Sequence, residues 1–265
     1  MRVDYHLHTS FSTDSQESME LYCESAIKQG IKEIAVTDHV DLGVVNEYTS
    51  EQVVDYPNYA IEIKRLQDKY KDNLCLRKGL EFGVQFEYLE EYKDIVKNND
   101  LDFVIMSCHQ IDNKEFWLND YQKDKTPYEC FEGYYKYLME LVKVFSDFSV
   151  IGHLDLMKRY SSYTPTVDDE HETVIKELLQ VIIDHNKGIE VNTSGIRYDL
   201  GSFHPSEKIL RWYYELGGTI ITVGSDAHIL KDLGNGIDEA LVMLKEIGFE
   251  SICTFEKMQP IFHKL

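Results

Sequence analysis

Most of the histidines in this chain stand where short apolar runs end. His6 and His8 close a run that begins at Val3, His39 follows residues 33–37, His109 follows 102–107, His153 follows 149–152 and His228 follows 219–223. Glu81 ends the run 74–80, and Asp226 precedes His228 by two positions. Side chains at i and i+2 of an extended segment point to one side, so His6-Leu7-His8 can grip a single ion and Asp226-Ala227-His228 repeats that geometry. Neutral imidazoles together with carboxylates suit zinc, manganese or iron, and no cysteine stands in these motifs as a structural thiolate site would require. Histidines crowded together repel one another when protonated, which gives the group a physical need for cations. A lone HxH is common by chance, whereas a series of strand ends that each deliver a ligand-type side chain is not. His171, His185 and His263 lie on helix-like or terminal segments and are read as ordinary core or surface histidines.

The elements that must position these groups follow from the alternation of the chain. Short β-branched or apolar runs predict strands over 3–7, 33–37, 74–80, 102–107, 149–152, 188–192 and 219–223. Helical spacing predicts helices over 17–29, 53–71, 87–98, 128–145, 170–184, 206–215 and 236–247, several of them ending at glycine or asparagine turns such as Leu216-Gly217-Gly218. Repeated βα units around a parallel sheet result, and in a barrel of that kind the strand ends converge on the C-terminal rim. The polar and aromatic segment 113–126 is predicted to be a long loop bordering the site. No linker or fixed-period repeat divides residues 1–265, so a single barrel domain is expected.

Composition narrows the partners. With 47 acidic against 27 basic residues the formal net charge is −20, a field that repels phosphate backbones, so nucleic acid is an unsuitable substrate. Bound divalent cations would cancel part of that charge, and a small cationic substrate would be drawn to the remainder. No stretch reaches the roughly 18 to 20 apolar residues of a membrane span. The five cysteines lack CxxC spacing and no apolar leader opens the chain, which together point to free thiols in a reducing cytoplasm. Nothing in composition or pattern specifies an oligomeric state.

Six segments, in order, resemble the motifs of the polymerase-and-histidinol-phosphatase (PHP) superfamily: Asp4-Tyr5-His6-Leu7-His8-Thr9, Thr37-Asp38-His39, Gly79-Leu80-Glu81, Ser107-Cys108-His109, Ile151-Gly152-His153-Leu154-Asp155 and Gly224-Ser225-Asp226-Ala227-His228. They span nearly the whole chain. Glu190-Val191-Asn192-Thr193-Ser194-Gly195-Ile196-Arg197, followed by His204-Pro205-Ser206, resembles the histidinol-phosphate phosphatase branch. The resemblance implies a distorted (βα)7 TIM-like barrel with its active site at the C-terminal ends of the strands, holding two to three divalent metal ions. By motif position, His6, His8, Glu81 and Asp226 would bind one ion, Glu81, His109 and His153 a second, and Asp14, His39 and His228 a third. Some relatives place a histidine where this chain has Asp14, and Asp14 has the alternative role of a helix cap after Ser12-Thr13.

Such a centre activates a bridging water as hydroxide for in-line attack on phosphorus and offsets charge on the phosphoryl oxygens. No protein nucleophile is needed, in keeping with a sequence that has no Ser-His-Asp arrangement, phosphatase cysteine loop or Walker glycine pattern. Arg159, six residues after His153, and Arg197, shortly after the sixth strand, are expected on the rim as phosphate-binding and catalytic residues. Asn192 is expected to add a hydrogen bond, His204 to border the substrate, and either Asp38 or a metal-bound water to protonate the leaving group. The branch resemblance implies hydrolysis of L-histidinol phosphate to L-histidinol and phosphate in histidine biosynthesis. The alternatives are another PHP phosphoesterase, acting on a small phosphomonoester, phosphotyrosine or nucleic-acid ends, and a metal-dependent amidohydrolase, which shares the first-strand HxH and last-strand Asp.

Overall fold

The computed structural model describes residues 1–43, 51–164 and 166–265. Seven parallel strands follow one another around a nearly closed barrel: β1 Val3–Asp4, β2 Glu33–Val36, β3 Cys75–Gly83, β4 Phe103–Ser107, β5 Val150–Ile151, β6 Gly188–Asn192 and β7 Ile221–Gly224. Each is hydrogen-bonded to the next, in registers such as Val36 to Lys78, Glu81 to Ile105 and Thr222 to Glu190. The last and first strands meet through Tyr5 N–H to Val223 O at 3.0 Å and His8 N–H to Ala227 O at 2.9 Å. β2, β4, β6 and β7 are buried along their whole length, as strands covered on one side by helices and filled on the other by side chains must be.

Each predicted helix is present, and four begin at side-chain caps. Ser18 caps Met19–Lys28, and Ser206 caps Glu207–Glu215. Thr126 and Glu129 form a capping box at the start of Pro127–Val144, a device contributing about 1 kcal/mol. The predicted start at 53 moves to Tyr56 because Asp55 caps that helix and Pro57 has the fixed φ suited to a first turn.

The structure differs from expectation in three places. β3 runs to Gly83 rather than stopping at 80, so Glu81 lies within the strand, braced by the two-residue strand His39–Val40 pairing with Glu81 and Phe82. The segment 113–126 is not a plain loop: Lys114–Glu115 pairs antiparallel with Gln110–Ile111. Beyond β7, where no strand was predicted, Ser251–Glu256 and Gln259–Lys264 form a hairpin. Its turn residues Lys257 and Met258 take φ of 50° and 63°, conformations usually signalled by Asn-Gly, and Asp102 holds both through their N–H groups. The hairpin covers the end of the barrel where β4 begins. Phe255 lies 5.1 Å from the Phe103 ring, and its N–H donates to Tyr5 Oη at 2.9 Å.

Candidate metal centre and active site

At the opposite end the strand termini deliver their ligand-type side chains to one place. Glu81 is at the middle, with no exposed surface, and its two oxygens face different neighbours. Oε2 lies 3.2 Å from His6 Nε2, 3.4 Å from His8 Nε2 and 3.1 Å from His39 Nδ1. Oε1 lies 2.9 Å from His153 Nε2 and 3.4 Å from His109 Nε2, and it accepts a hydrogen bond from Ser107 Oγ. Asp226 Oδ1 stands 3.4 Å from His8 Nε2 and 3.7 Å from His6 Nε2. Asp14 Oδ2 stands 3.4 Å from His39 Nε2 and 3.1 Å from His228 Nε2.

These residues fit cations. Buried His6 Nε2, His8 Nε2, His39 Nδ1 and Glu81 Oε2 have no hydrogen-bond partner although they face one another. With ligand bonds near 2.0–2.1 Å, the corners of a tetrahedron lie about 3.3 Å apart, the spacing found here. Among the described residues four sets of ligand atoms could each hold an ion: His6, His8 and Glu81; Glu81, His109 and His153; His8, Asp14, His39 and His228; and His39, Asp41 and His109. The groupings carried over from the resemblance are thus brought together, with Asp226 beside the first and His8 joining the third. Asp14 is exposed between two imidazoles rather than capping a helix; the nearest helix is capped by Ser18.

Without cations, protons must balance this cluster. Burial lowers the His6 imidazole, but Glu190, Glu81 and Asp226 outweigh it and hold it well above the ordinary value. Burial, with His228 and His39 nearby, holds His8 well below it. His109 is pushed up to about 9, burial being outweighed by Asp41 and Glu81. For Glu81 the raising effect of burial is overcome by His6, His39 and His109, so the carboxylate stays ionised.

The cluster forms one wall of a cavity of about 340 Å³ that also meets Asp41, Gln110, Glu115, Trp117, Tyr160 and Tyr198. Arg159 lines it. Its Nη2 donates to Ser194 Oγ at 2.7 Å and lies 3.6 Å from Asp226 Oδ2. The other residues expected on the substrate side stand outside this lining. Arg197 does not line the cavity, because its guanidinium donates to the backbone carbonyls of Ser225 at 2.8 Å and Asp226 at 2.7 Å. Asn192 is buried behind the cluster, its amide donating to Glu190 and its oxygen accepting from Ser194. His204 is buried against Asp155, 2.5 Å from Nδ1 to Oδ1. Asp38 is enclosed by Thr9 and Ser12, whose hydroxyls and the Thr9 N–H donate to it, and burial raises its carboxyl. None of these three reaches the cavity. His171, His185 and His263 lie away from it and bond Val167 O, Val181 O and Thr254 Oγ1.

Two carboxylates escaped the sequence reading. Asp41 lies 3.0 Å from His109 Nδ1, and Glu190 lies 2.7 Å from His6 Nδ1. A signal existed in the strand glycines opposite them. A Cβ at Gly83 would fall 1.8 Å from Asp41 Oδ1, and one at Gly224 would fall 2.4 Å from Glu190 Oε1.

A family model described as the PHP domain matches residues 4–194. The chain is 32% identical over 266 residues to the histidinol-phosphatase of Lactococcus lactis subsp. lactis, covering 97% of this chain and 96% of the relative. It is 30% identical over 262 residues to a probable histidinol-phosphatase of Clostridium acetobutylicum, covering 97% and 98%. The crystal structure of histidinol phosphate phosphatase from Lactococcus lactis, complexed with zinc, L-histidinol and phosphate, superposes with a TM-score of 0.89 over 98% of both chains at 29% identity.

Proposed function

The chain belongs to the PHP-domain family, and from that premise we propose that it is a metal-dependent phosphomonoesterase hydrolysing L-histidinol phosphate to L-histidinol and phosphate. The observation that carries this reading is Arg159 lining the same cavity as the cluster centred on Glu81. His6, His8, Glu81 and Asp226 would hold one divalent ion, Glu81, His109 and His153 a second, and Asp14, His39 and His228 a third. Bound there, zinc, manganese or iron supplies Lewis acidity to the phosphoryl group and lowers the pKa of water. Glu81 belongs to two of these sets, so it would hold both ions.

Arg159 is the phosphate donor. Its guanidinium is nine-tenths buried in the wall, so a phosphoryl oxygen meets it with little competing water. Asp38 is read as a positioning carboxylate, since its oxygens are taken up by Thr9 and Ser12, and Arg197 as the clamp on the segment that carries Asp226. The L-histidinol part is supported by a relative's activity and by chemistry: Glu115 suits an ammonium group, and Trp117, Tyr160 and Tyr198 suit an imidazole ring. The net charge of −20 favours such a substrate over nucleic acid. Residues 1–265 are taken as one barrel unit, with the C-terminal hairpin bound to Tyr5 and Phe103. Among the described residues no helix is long and apolar enough to cross a membrane. Five unbridged cysteines fit a reducing cytoplasm as the location.

Steady-state hydrolysis of L-histidinol phosphate, beside p-nitrophenyl phosphate, phosphotyrosine, a phosphodiester and an amide substrate, tests this reading with added zinc or manganese and with chelator. A preference for L-histidinol phosphate of at least about 100-fold in kcat/KM, lost on chelation, is expected for a site that pairs buried polar groups with substrate. Turnover of the amide alone would move the assignment to the amidohydrolases.

A further inference from the structure

Glu190 has no exposed surface and does not line the cavity, yet both its oxygens end on segments that carry cluster histidines. Oε1 lies 2.7 Å from His6 Nδ1. Oε2 accepts the His153 backbone N–H at 3.1 Å and an Asn192 amide hydrogen at 3.1 Å. His153 has a φ of 24°, outside the regions that side-chain-bearing residues ordinarily occupy, so its turn needs a partner to hold it. The barrel keeps space for this carboxylate. A Cβ at Gly224 would lie 2.4 Å from Oε1, and one at Gly152 would lie 3.4 Å from Oε2 and 2.7 Å from Ser107 Oγ. Two sequence-distant segments, those of His6 and His153, therefore share one carboxylate.

We propose that Glu190 is the positioning residue that orients His6 and fixes the His153 turn for cation binding, a role that rests on the metal reading of the cluster. A carboxylate on Nδ1 keeps the proton on that nitrogen and turns the Nε2 lone pair toward Glu81 Oε2, 3.2 Å away, and Asp226 Oδ1, 3.7 Å away. The bond to the His153 N–H places the second imidazole, whose Nε2 lies 2.9 Å from Glu81 Oε1. One carboxylate thus sets a histidine on each side of Glu81.

Glu190→Gln isolates this function. Glutamine keeps the volume but has one acceptor, so its amide hydrogens must face either His6 Nδ1–H or the His153 N–H. Zinc affinity of metal-stripped protein, measured by chelator competition and paired with thermal unfolding, is the readout. The variant is expected to bind zinc about 10- to 100-fold more weakly while remaining folded. Phe255→Leu, in the hairpin at the far end of the barrel, is expected to lower the Tm and leave zinc affinity unchanged. Should the glutamine variant not fold, Glu190→Asp keeps the charge but withdraws it by one methylene, with the same expected loss. Wild-type affinity in the folded Glu190 variant, or an equal loss in Phe255→Leu, overturns the role. A wild-type protein that takes up no zinc overturns the metal reading and this role with it.

Discussion

The Arg159 guanidinium carbon lies 3.8 Å from the centre of the Tyr198 ring, so the cation that faces the cavity rests over an aromatic wall. Ser194 Oγ takes a hydrogen of Nη2, Asp226 Oδ2 lies 3.6 Å from the same nitrogen, and Nε is buried. Lysine cannot reproduce a planar, stacked, multidentate donor. Arg159→Lys should therefore lower kcat/KM for the phosphomonoester by about 10- to 100-fold, as expected for a lost charge-assisted bond of about 1.5–3 kcal/mol. Tyr198→Ala should cost less, about 1 kcal/mol, because it removes only the stacking surface. Equal kinetics in wild type and Arg159→Lys would remove Arg159 from the phosphate site.

Arg197 makes a contrasting prediction. Its two carbonyl partners belong to Ser225 and Asp226, so Arg197→Ala should loosen the segment that carries Asp226. We expect a stability loss of about 1–3 kcal/mol and reduced zinc content, read by thermal unfolding and elemental analysis, with KM for substrate changed less than about threefold at saturating metal. A tenfold rise in KM at full zinc occupancy would return Arg197 to the phosphate.

Behind the site, Lys158 Nζ bridges Asp155 Oδ2 at 2.8 Å and Asp168 Oδ1 at 2.7 Å, and Ser206 Oγ completes the group by donating to Asp168. Removing the cation leaves Asp168 with only the Ser206 hydroxyl and Asp155 with His204 and the Ser206 N–H, so Lys158→Met should destabilise the fold by about 3 kcal/mol in denaturant unfolding. Burial opposes ionisation of Asp155, but Lys158 and His204 overcome it and hold the carboxyl below its ordinary value. The folded state thus binds this proton less readily than the unfolded chain. The stability it contributes is present above the unfolded carboxyl pKa of about 4 and is lost as pH falls through that range and below. In Lys158→Met the acid unfolding midpoint should move to higher pH.

Burial raises every thiol in the chain: Cys23 to about 12, Cys75 and Cys253 to about 11, and Cys108 and Cys130 in the same direction. With the thiolate scarce near pH 8, iodoacetamide should label the native protein slowly and all five cysteines rapidly after denaturation. Fast labelling of Cys108 in the native state would mean that the segment next to His109 opens.

The sequence by itself determined which residues could reach the centre. Parallel βα units end on one rim, so a histidine or carboxylate at the end of each apolar run is placed there by chain direction alone, as His6, His8, His39, His109, His153 and His228 are. Only the tertiary structure decided where long polar side chains find their partners. Asn192 ends β6 and Arg197 follows a short helical turn beyond it, and their polar groups bond Glu190, Ser194 and the carbonyls of Ser225 and Asp226, partners that local pattern does not announce. The pairs Asp41–His109 and Glu190–His6 join residues 68 and 184 positions apart, beyond any local periodicity. The C-terminal hairpin escaped for a related reason, since Asp102 supports its turn from outside in place of the usual glycine. Local pattern fixes the direction of a strand and the face of a helix. A buried polar group must be satisfied by whatever folding brings beside it, and that is a property of the closed barrel.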